Sequence, residues 1–386
     1  MIAGKEDAAG NFARGYYEIG PEVIDYVMDR IRLTAENCDG LQGFIAYHSF
    51  TGGTGSGLGA LMFEHMHTDY AKKTRLEFAV YPSRKQANGI TDPINCLMAM
   101  DKIGEHSDVA FMVDNEQMYN LAERKLGIQA PMYNHLNQMI AQAISMATSS
   151  LRFEGELNCN LPEFQTNLVP FPRCHYPVCS YAPYVTAEKA FHDSNDVKEI
   201  TSALFEPGNI LVDCERGTCL ADCPGKCEKG HQQDDDHVIK NGVRIQLNHK
   251  FMACCLIYRG DVLPAEANRA LTTLKARKTI QFVDWIGDGG FKMGINKSKP
   301  TVPLNSLLAK TNRAAMLISN TSKLSNVIQK ICYKFKLLDK HRAFTHWYVG
   351  AGMEESDFAD AITNLEALQM DYEECCLTNE DYYGGE

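Results

Sequence analysis

Thr51-Gly52-Gly53-Thr54-Gly55-Ser56-Gly57 is the stretch on which the reading of this 386-residue chain turns. It follows a short apolar run, Phe44-Ile45-Ala46-Tyr47, and precedes Leu58, Leu61, Met62, Met66 and Tyr70, which recur at helical spacing. The order is therefore strand, glycine loop, helix. Backbone N–H groups of such a loop and the start of the helix behind it face an anion together, and glycine lets the anion come close. The loop is not of the Walker type, because Leu58 stands where that loop needs lysine. Gly55-x-Gly57-x-x-Ala60 satisfies a loose dinucleotide fingerprint with Glu77 further on, but Glu77 is expected to precede its strand instead of ending it, which weakens a dehydrogenase reading. The plain alternative is a tight strand–helix connection with no ligand.

Outward from the loop, Phe78–Tyr81 and Val109–Val113 read as further strands buried on both faces, separated by helical or loop sequence. That alternation predicts an α/β fold with a parallel, helix-flanked sheet. Upstream, Gly20-Pro21 opens a helix through Val23, Ile24, Val27, Met28 and Ile31 that Gly40 is expected to end. Downstream, Asn134–Thr148 carries Leu136, Met139, Ile140, Ala143, Ile144 and Ala147, a stripe suited to a helix connecting two domains. Beyond it, Asn167–Tyr184, Phe251–Arg259, Thr279–Trp285 and Phe291–Asn296 are strand-like, and Arg342–Glu374 is largely helical. The expected division is a nucleotide domain at 1–132, a central helix at 133–150, a second α+β domain at 151–324, and a C-terminal helical region at 325–386.

A chain of this length with 45% hydrophobic residues buries more than one core. Its apolar runs stop short of the roughly 18 residues of a membrane span, and no leader opens it at Met1, so a soluble, unsecreted protein is expected. Fourteen scattered cysteines, including the adjacent pairs Cys254-Cys255 and Cys375-Cys376, fit reduced cytosolic thiols better than a disulfide scaffold. A net charge of -11 argues against nucleic acid and for cationic partners.

Gly52–Gly57 resembles the signature loop of the tubulin family, and the surrounding sequence resembles its α-type chains. Gly4–Ala9, Phe111–Glu116, Glu163–Pro170, Met252–Cys255 with Tyr258–Asp261, and His346–Tyr348 match in order, so the likeness spans nearly the whole chain. It implies a tubulin-like Rossmann-type nucleotide domain that binds GTP with Mg2+. Phosphate contacts fall on Gly52, Gly53, Thr54 and Gly55, with Asp7 and Ala8, guanine contacts on Asn115, Tyr133 and Asn137, and Ser49 is implied as nucleotide-binding. Asn88 is a further implied nucleotide contact, and Asp92 stands where the α-type chains have a ribose-binding glutamate. An amide can both donate to and accept from a guanine edge while a tyrosine ring stacks on it. Taken alone, Asn115 is an ordinary helix cap and Tyr133 an ordinary core residue.

The segment Gly155–Glu163 resembles the loop that tubulins insert into the next subunit's nucleotide site, with Glu163 as the catalytic carboxylate acting in trans on GTP held by β-tubulin. The family has aspartate where this chain has Asn160. Without the resemblance, Glu163 is a surface carboxylate with no assigned role. The implied partners are β-tubulin, neighbouring tubulin dimers, motors and microtubule-associated proteins, in the cytoplasmic microtubule cytoskeleton. His192, within 181–197, stands at a lateral contact position, and the acidic face of Glu354–Glu374 suits basic partners. The ending Asp381–Glu386 lacks the glutamate tract and final tyrosine of α-type tails.

Two departures stand out. Family chains begin roughly 90 residues before Met1, so the Phe44–Tyr47 strand is expected to have unpaired backbone groups on one edge, and GTP retention is expected to be weak. Residues 215–249 are an insertion, expected to be a disordered loop; with it come Cys214, Cys219, Cys223, Cys227 and His231, weak zinc candidates because they lack a C-x-x-C pair. A different class of protein also fits, a non-polymerising tubulin-like interaction protein that binds subunits without entering a filament.

Overall fold

The structure, a computed structural model, describes residues 2–82, 89–157, 160–186, 188–191, 196–214, 237–240, 243–246, 249–276, 280–302 and 306–377. In chain order the elements are α1 (Ile19–Glu36), β1 (Gly43–Ser49), α2 (Gly59–Asp69), β2 (Thr74–Tyr81), α3 (Asp92–Gly104), β3 (Val109–Asp114), α4 (Asn115–Leu126), α5 (Tyr133–Ala147), α6 (Ser149–Arg152), β4 (Gly155–Leu157), α7 (Leu161–Leu168) and β5 (Val178–Ala182). There follow α8 (Val197–Leu204), β6 (His237–Lys240), β7 (Val243–Gln246), β8 (Phe251–Gly260), α9 (Pro264–Ala276), β9 (Phe291–Asn296), β10 (Arg313–Thr321), α10 (Leu324–Asp339), α11 (Thr345–Gly350) and α12 (Glu355–Glu374).

Eight strands form one sheet in the order β1-β2-β3-β5-β10-β8-β9-β4. The first four are mutually parallel, and β3 meets β5 through the pair Met112↔Val178. Successive residues of these strands enter opposite cores. Leu76, Phe78, Val109 and Phe111 pack with α4, α5 and α7 residues such as Met118, Met139 and Phe164, while Ala79, Ala110 and Met112 pack with α3, α10 and α12. That two-sided burial is what a parallel sheet between helix layers requires. The expected connecting helix is α5, which packs on β5, β8 and β10. Among the described residues β1 pairs with β2 alone, so it forms one edge of the sheet.

Five local expectations are corrected. Strand β2 starts at Thr74, not Phe78, so Glu77 lies inside it; Arg75 and Glu77 are buried there because each has a side-chain partner, Asp108 and His48, which the apolar pattern hides. Asn167 and Leu168 end α7, whose Leu161, Phe164 and Leu168 bury at helical spacing, and the strand within 167–184 is only Val178–Ala182. In 280–285, Phe282 makes a lone bridge to Phe251 in place of a strand. Helix α1 stops at Glu36, where Asn37 caps back onto the Leu33 carbonyl, before Gly40 is reached. Within the insertion, His237–Lys240 and Val243–Gln246 form an antiparallel hairpin, contrary to the expected loop.

Candidate functional site

The glycine loop lies at the carboxyl end of β1. Gly52 has φ +81 and open space where a Cβ would stand. The other glycines are there for close packing. A Cβ on Gly53 would lie 2.5 Å from the Ala8 side chain and 2.6 Å from the Asn11 carbonyl, and one on Gly55 would lie 2.4 Å from the Ser49 carbonyl. A Cβ on Gly15 would lie 2.1 Å from the Gly53 carbonyl. The loop is thus clamped between the end of β1 and residues 8–15. A π-helical turn over Thr54–Leu58 then leads into α2, and the buried Ser56 hydroxyl donates back to the Gly52 carbonyl. The Ser49 hydroxyl contacts that of Thr51 at 2.7 Å and accepts the Thr51 N–H at 3.1 Å.

The clamp has its own anchor. Asn95 of α3, fully buried, accepts the Phe12 N–H (3.0 Å) and the Tyr348 hydroxyl (2.7 Å), and donates to the Gly10 carbonyl (2.6 Å). Asn11 donates to the Trp347 carbonyl at 3.1 Å. These contacts tie residues 10–12 to α3 and α11. In the sequence, the only sign of Asn95 was an amide inside the apolar run Ile94–Met100.

The carboxyl ends of the parallel strands stand side by side, with Ser49 opposite Val80 and Tyr81 opposite Asp114. The loop and the start of α4 are therefore two strand spacings apart, about 10 Å. Asn115 opens α4, and the Asp114 carboxylate caps it by accepting the Glu116 N–H at 2.9 Å. Burial pushes the Asp114 carboxyl up to about 6. Tyr133 begins α5, 54% exposed and edge-on to Tyr119 of α4, and the exposed Asn137 is one turn further along. Tyr133 and Asn137 are exposed and Asn115 partly buried, while next to the loop Ala8 is buried and Asp7 exposed. Asp92 is buried in the first turn of α3, its carboxylate accepting the Gly89 N–H at 2.9 Å, so it is turned to the backbone. Asn88 lies outside the described residues, as does His192.

Glu163 is elsewhere. It stands in the first turn of α7, paired with Lys292 of β9 at 3.1 Å. Two residues on, Gln165 donates to Asp108 at 3.2 Å, and Asp108 accepts the Arg75 N–H at 2.8 Å. Both of those residues mark the amino ends of β3 and β2. Helix α7 therefore sits at the opposite end of the strands from the glycine loop, a strand length of about 20 Å away. One chain does not bring the two together.

Glu77, the residue on which a dinucleotide fingerprint would rely, is fully buried in mid-strand and holds His48 at 2.9 Å. Of the zinc candidates, Cys214 is in the core with its thiol pushed up to about 12 by burial, unlike a thiolate ligand, and Cys219, Cys223, Cys227 and His231 lie outside the described residues. Among the described residues no three His, Cys, Asp or Glu side chains gather as metal ligands, and no helix is long and apolar enough to cross a membrane.

A glycine loop at the carboxyl ends of parallel strands, with the amides of Asn115 and Asn137 and the exposed Tyr133 on the two helices that follow, is the arrangement of a nucleotide-binding α/β protein. Residues 1–123 match the GTPase domain of the Tubulin/FtsZ family, and residues 172–230 and 233–333 match the tubulin C-terminal domain. Together these cover well over half of the chain, which belongs to the tubulin family and is a tubulin-like GTP-binding cytoskeletal protein.

Proposed function

We propose that this chain is an α-type tubulin subunit that holds GTP at its own glycine loop, pairs with β-tubulin, and lends Glu163 to the GTP held by a neighbouring subunit. The observation that supports this most is the placement of Glu163 and the loop at opposite ends of the same strands. A carboxylate that cannot reach its own loop would meet instead the loop of a molecule stacked below it.

The open backbone at Gly52, with Gly53, Thr54, Gly55, Ser49, Asp7 and Ala8, fits phosphate, and Asn115, Tyr133 and Asn137 fit guanine. The inward-turned Asp92 would leave the ribose to water or to Asn88. Mg2+ is expected from the family, but the described residues gather no ligand set for it. Across the interface the Glu163 carboxylate would orient an attacking water and accept its proton, with Lys292 fixing the side chain until then. The acidic outer face of α12, with exposed Glu354, Glu355 and Asp360, would receive the basic surfaces of motors and other microtubule-associated proteins.

Assembly with β-tubulin tests this. Glu163→Ala is expected to lower GTP hydrolysis in polymer by about 100-fold or more while leaving guanine nucleotide bound to this chain unchanged. Equal hydrolysis by both polymers would overturn the role. A non-polymerising interaction protein is the other reading, favoured by the engaged carboxylate of Asp92. It predicts that the chain binds free subunits and stays out of the pellet when microtubules are sedimented.

A further inference from the structure

The glycine loop rests on a turn of unfavourable shape. The Asn11 N–H donates to the Ala8 carbonyl at 3.0 Å, and the two residues inside that turn, Ala9 and Gly10, both have positive φ, 49 and 67. Glycine adopts such a backbone readily, but Ala9 is strained in it. Gly53 sits against this turn with no room for a Cβ beside the Ala8 side chain and the Asn11 carbonyl, and a Cβ on Gly57 would lie 2.3 Å from the Phe12 carbonyl. A strained turn of this kind persists only where other contacts fix it.

Those contacts come from elements far along the chain. The Asn95 amide of α3 donates to the Gly10 carbonyl at 2.6 Å, and its oxygen accepts both the Phe12 N–H (3.0 Å) and the Tyr348 hydroxyl of α11 (2.7 Å). Asn11 donates to the Trp347 carbonyl at 3.1 Å, one residue before Tyr348. Asn95 and Tyr348 are at most 1% exposed, so bulk water does not stand in for a lost bond between them. Helix α11 in turn starts after Phe344, another non-glycine residue with positive φ, 64. A single atom, Asn95 Oδ1, thus joins α11 to the backbone against which Gly53 and Gly57 pack.

We propose that Tyr348 and Asn95 are positioning residues of the nucleotide site: through them α11 holds the turn at residues 8–12 against the glycine loop and so sets how long guanine nucleotide stays bound. This rests on the reading that the loop holds the nucleotide's phosphates. Both side chains act through residues 10–12 and not on the ligand. Without the Tyr348 hydroxyl, Asn95 Oδ1 keeps only the Phe12 N–H, the amide is less firmly aimed at Gly10, and the strained turn at Ala9 and Gly10 relaxes away from Gly53. Coupling of this kind is reciprocal, so nucleotide on the loop also steadies α11.

Tyr348→Phe keeps the ring and removes only the bond. In the full-length protein loaded with radiolabelled GTP and chased with unlabelled GTP, it is expected to speed release roughly three- to tenfold, the worth of one buried hydrogen bond. Amide exchange at residues 8–15 is expected to quicken with it, and the slowing of exchange at 345–350 that bound GTP brings to the unmutated protein is expected to vanish. Tyr258→Phe is the control, since it also strips a buried tyrosine hydroxyl, bonded to Thr201 at 2.9 Å in the core between α8, α9 and the sheet, and should lower the melting temperature with release unchanged. Release from Tyr348→Phe at the unmutated rate, or equal acceleration by Tyr258→Phe, would overturn the proposal. Should the unmutated chain retain no GTP, the reading of the loop fails instead, and exchange at residues 8–15 in nucleotide-free Tyr348→Phe decides on the relay by itself: faster supports it, unchanged refutes it.

Discussion

Gly52 and Gly53 are neighbours that would answer a methyl group differently. At Gly52 the added Cβ meets nothing, and only the positive φ resists it, so Gly52→Ala is expected to cost about 1 kcal/mol in urea unfolding. At Gly53 the Cβ runs into Ala8 and Asn11, and Gly53→Ala is expected to cost about 3 kcal/mol and to loosen residues 8–11, seen as faster amide exchange there. Asn95→Ala strips partners from the Gly10 carbonyl, the Phe12 N–H and the Tyr348 hydroxyl. At roughly 1–3 kcal/mol for each group left unpaired, the loss should exceed about 3 kcal/mol. Asp114 carries a pH signature. Its carboxyl is raised from an ordinary 3.8 to about 6, so the folded state holds the proton more tightly and stability falls as pH rises through that window. Asp114→Asn keeps an acceptor for the α4 cap and should flatten that fall, which is at most about 3 kcal/mol; an unchanged pH profile of the melting temperature would count against it.

At the scale of elements, β1 draws the eye because its sequence, Gly-Phe-Ile-Ala-Tyr-His-Ser, carries no Lys, Glu, Asp or Pro to discourage pairing, and no described residue pairs with its free edge. Tyr47, 55% exposed and stacked on Phe78 at 5.3 Å, projects from it. Tyr47→Lys is expected to shift sedimentation toward monomer at a stability loss of about 1 kcal/mol from the broken stack; unchanged self-association would show that the edge is already protected. The strand–loop–helix unit and the two later parallel strands were legible because apolar runs and glycine clustering are local signals. What was not legible depended on distant partners. Glu77 reads as a loop carboxylate until His48 is found beside it, and Arg75 until Asp108 is. Asn95 has no local reason to be an amide; its reasons lie at positions 10, 12 and 348. The β6–β7 hairpin does have a local sign, the Asn241-Gly242 dipeptide between its strands, set within a polar composition that otherwise reads as a loop.

For the whole molecule, the sheet passes from parallel to antiparallel between β5 and β10, and α12 lies across α3 and α10, holding the C-terminal helices against the nucleotide half. The Phe335–Phe358 stack, with centroids 6.2 Å apart, joins α10 to α12, and Phe358→Ala is expected to cost about 3–5 kcal/mol and to lower the melting temperature of the whole chain in one transition. The separation of Glu163 from the glycine loop along the strands gives the molecule a front and a back. Under the proposed function such a unit would associate head to tail, and such contacts build an open row instead of a closed pair when no rotation brings the ends together. Each such row would have two unlike ends, one showing a loop that no carboxylate has reached and the other a carboxylate with no loop to serve. Under such an arrangement the arrival of a neighbour, not the binding of nucleotide, starts the clock on hydrolysis, and the age of a joint is written in its chemistry.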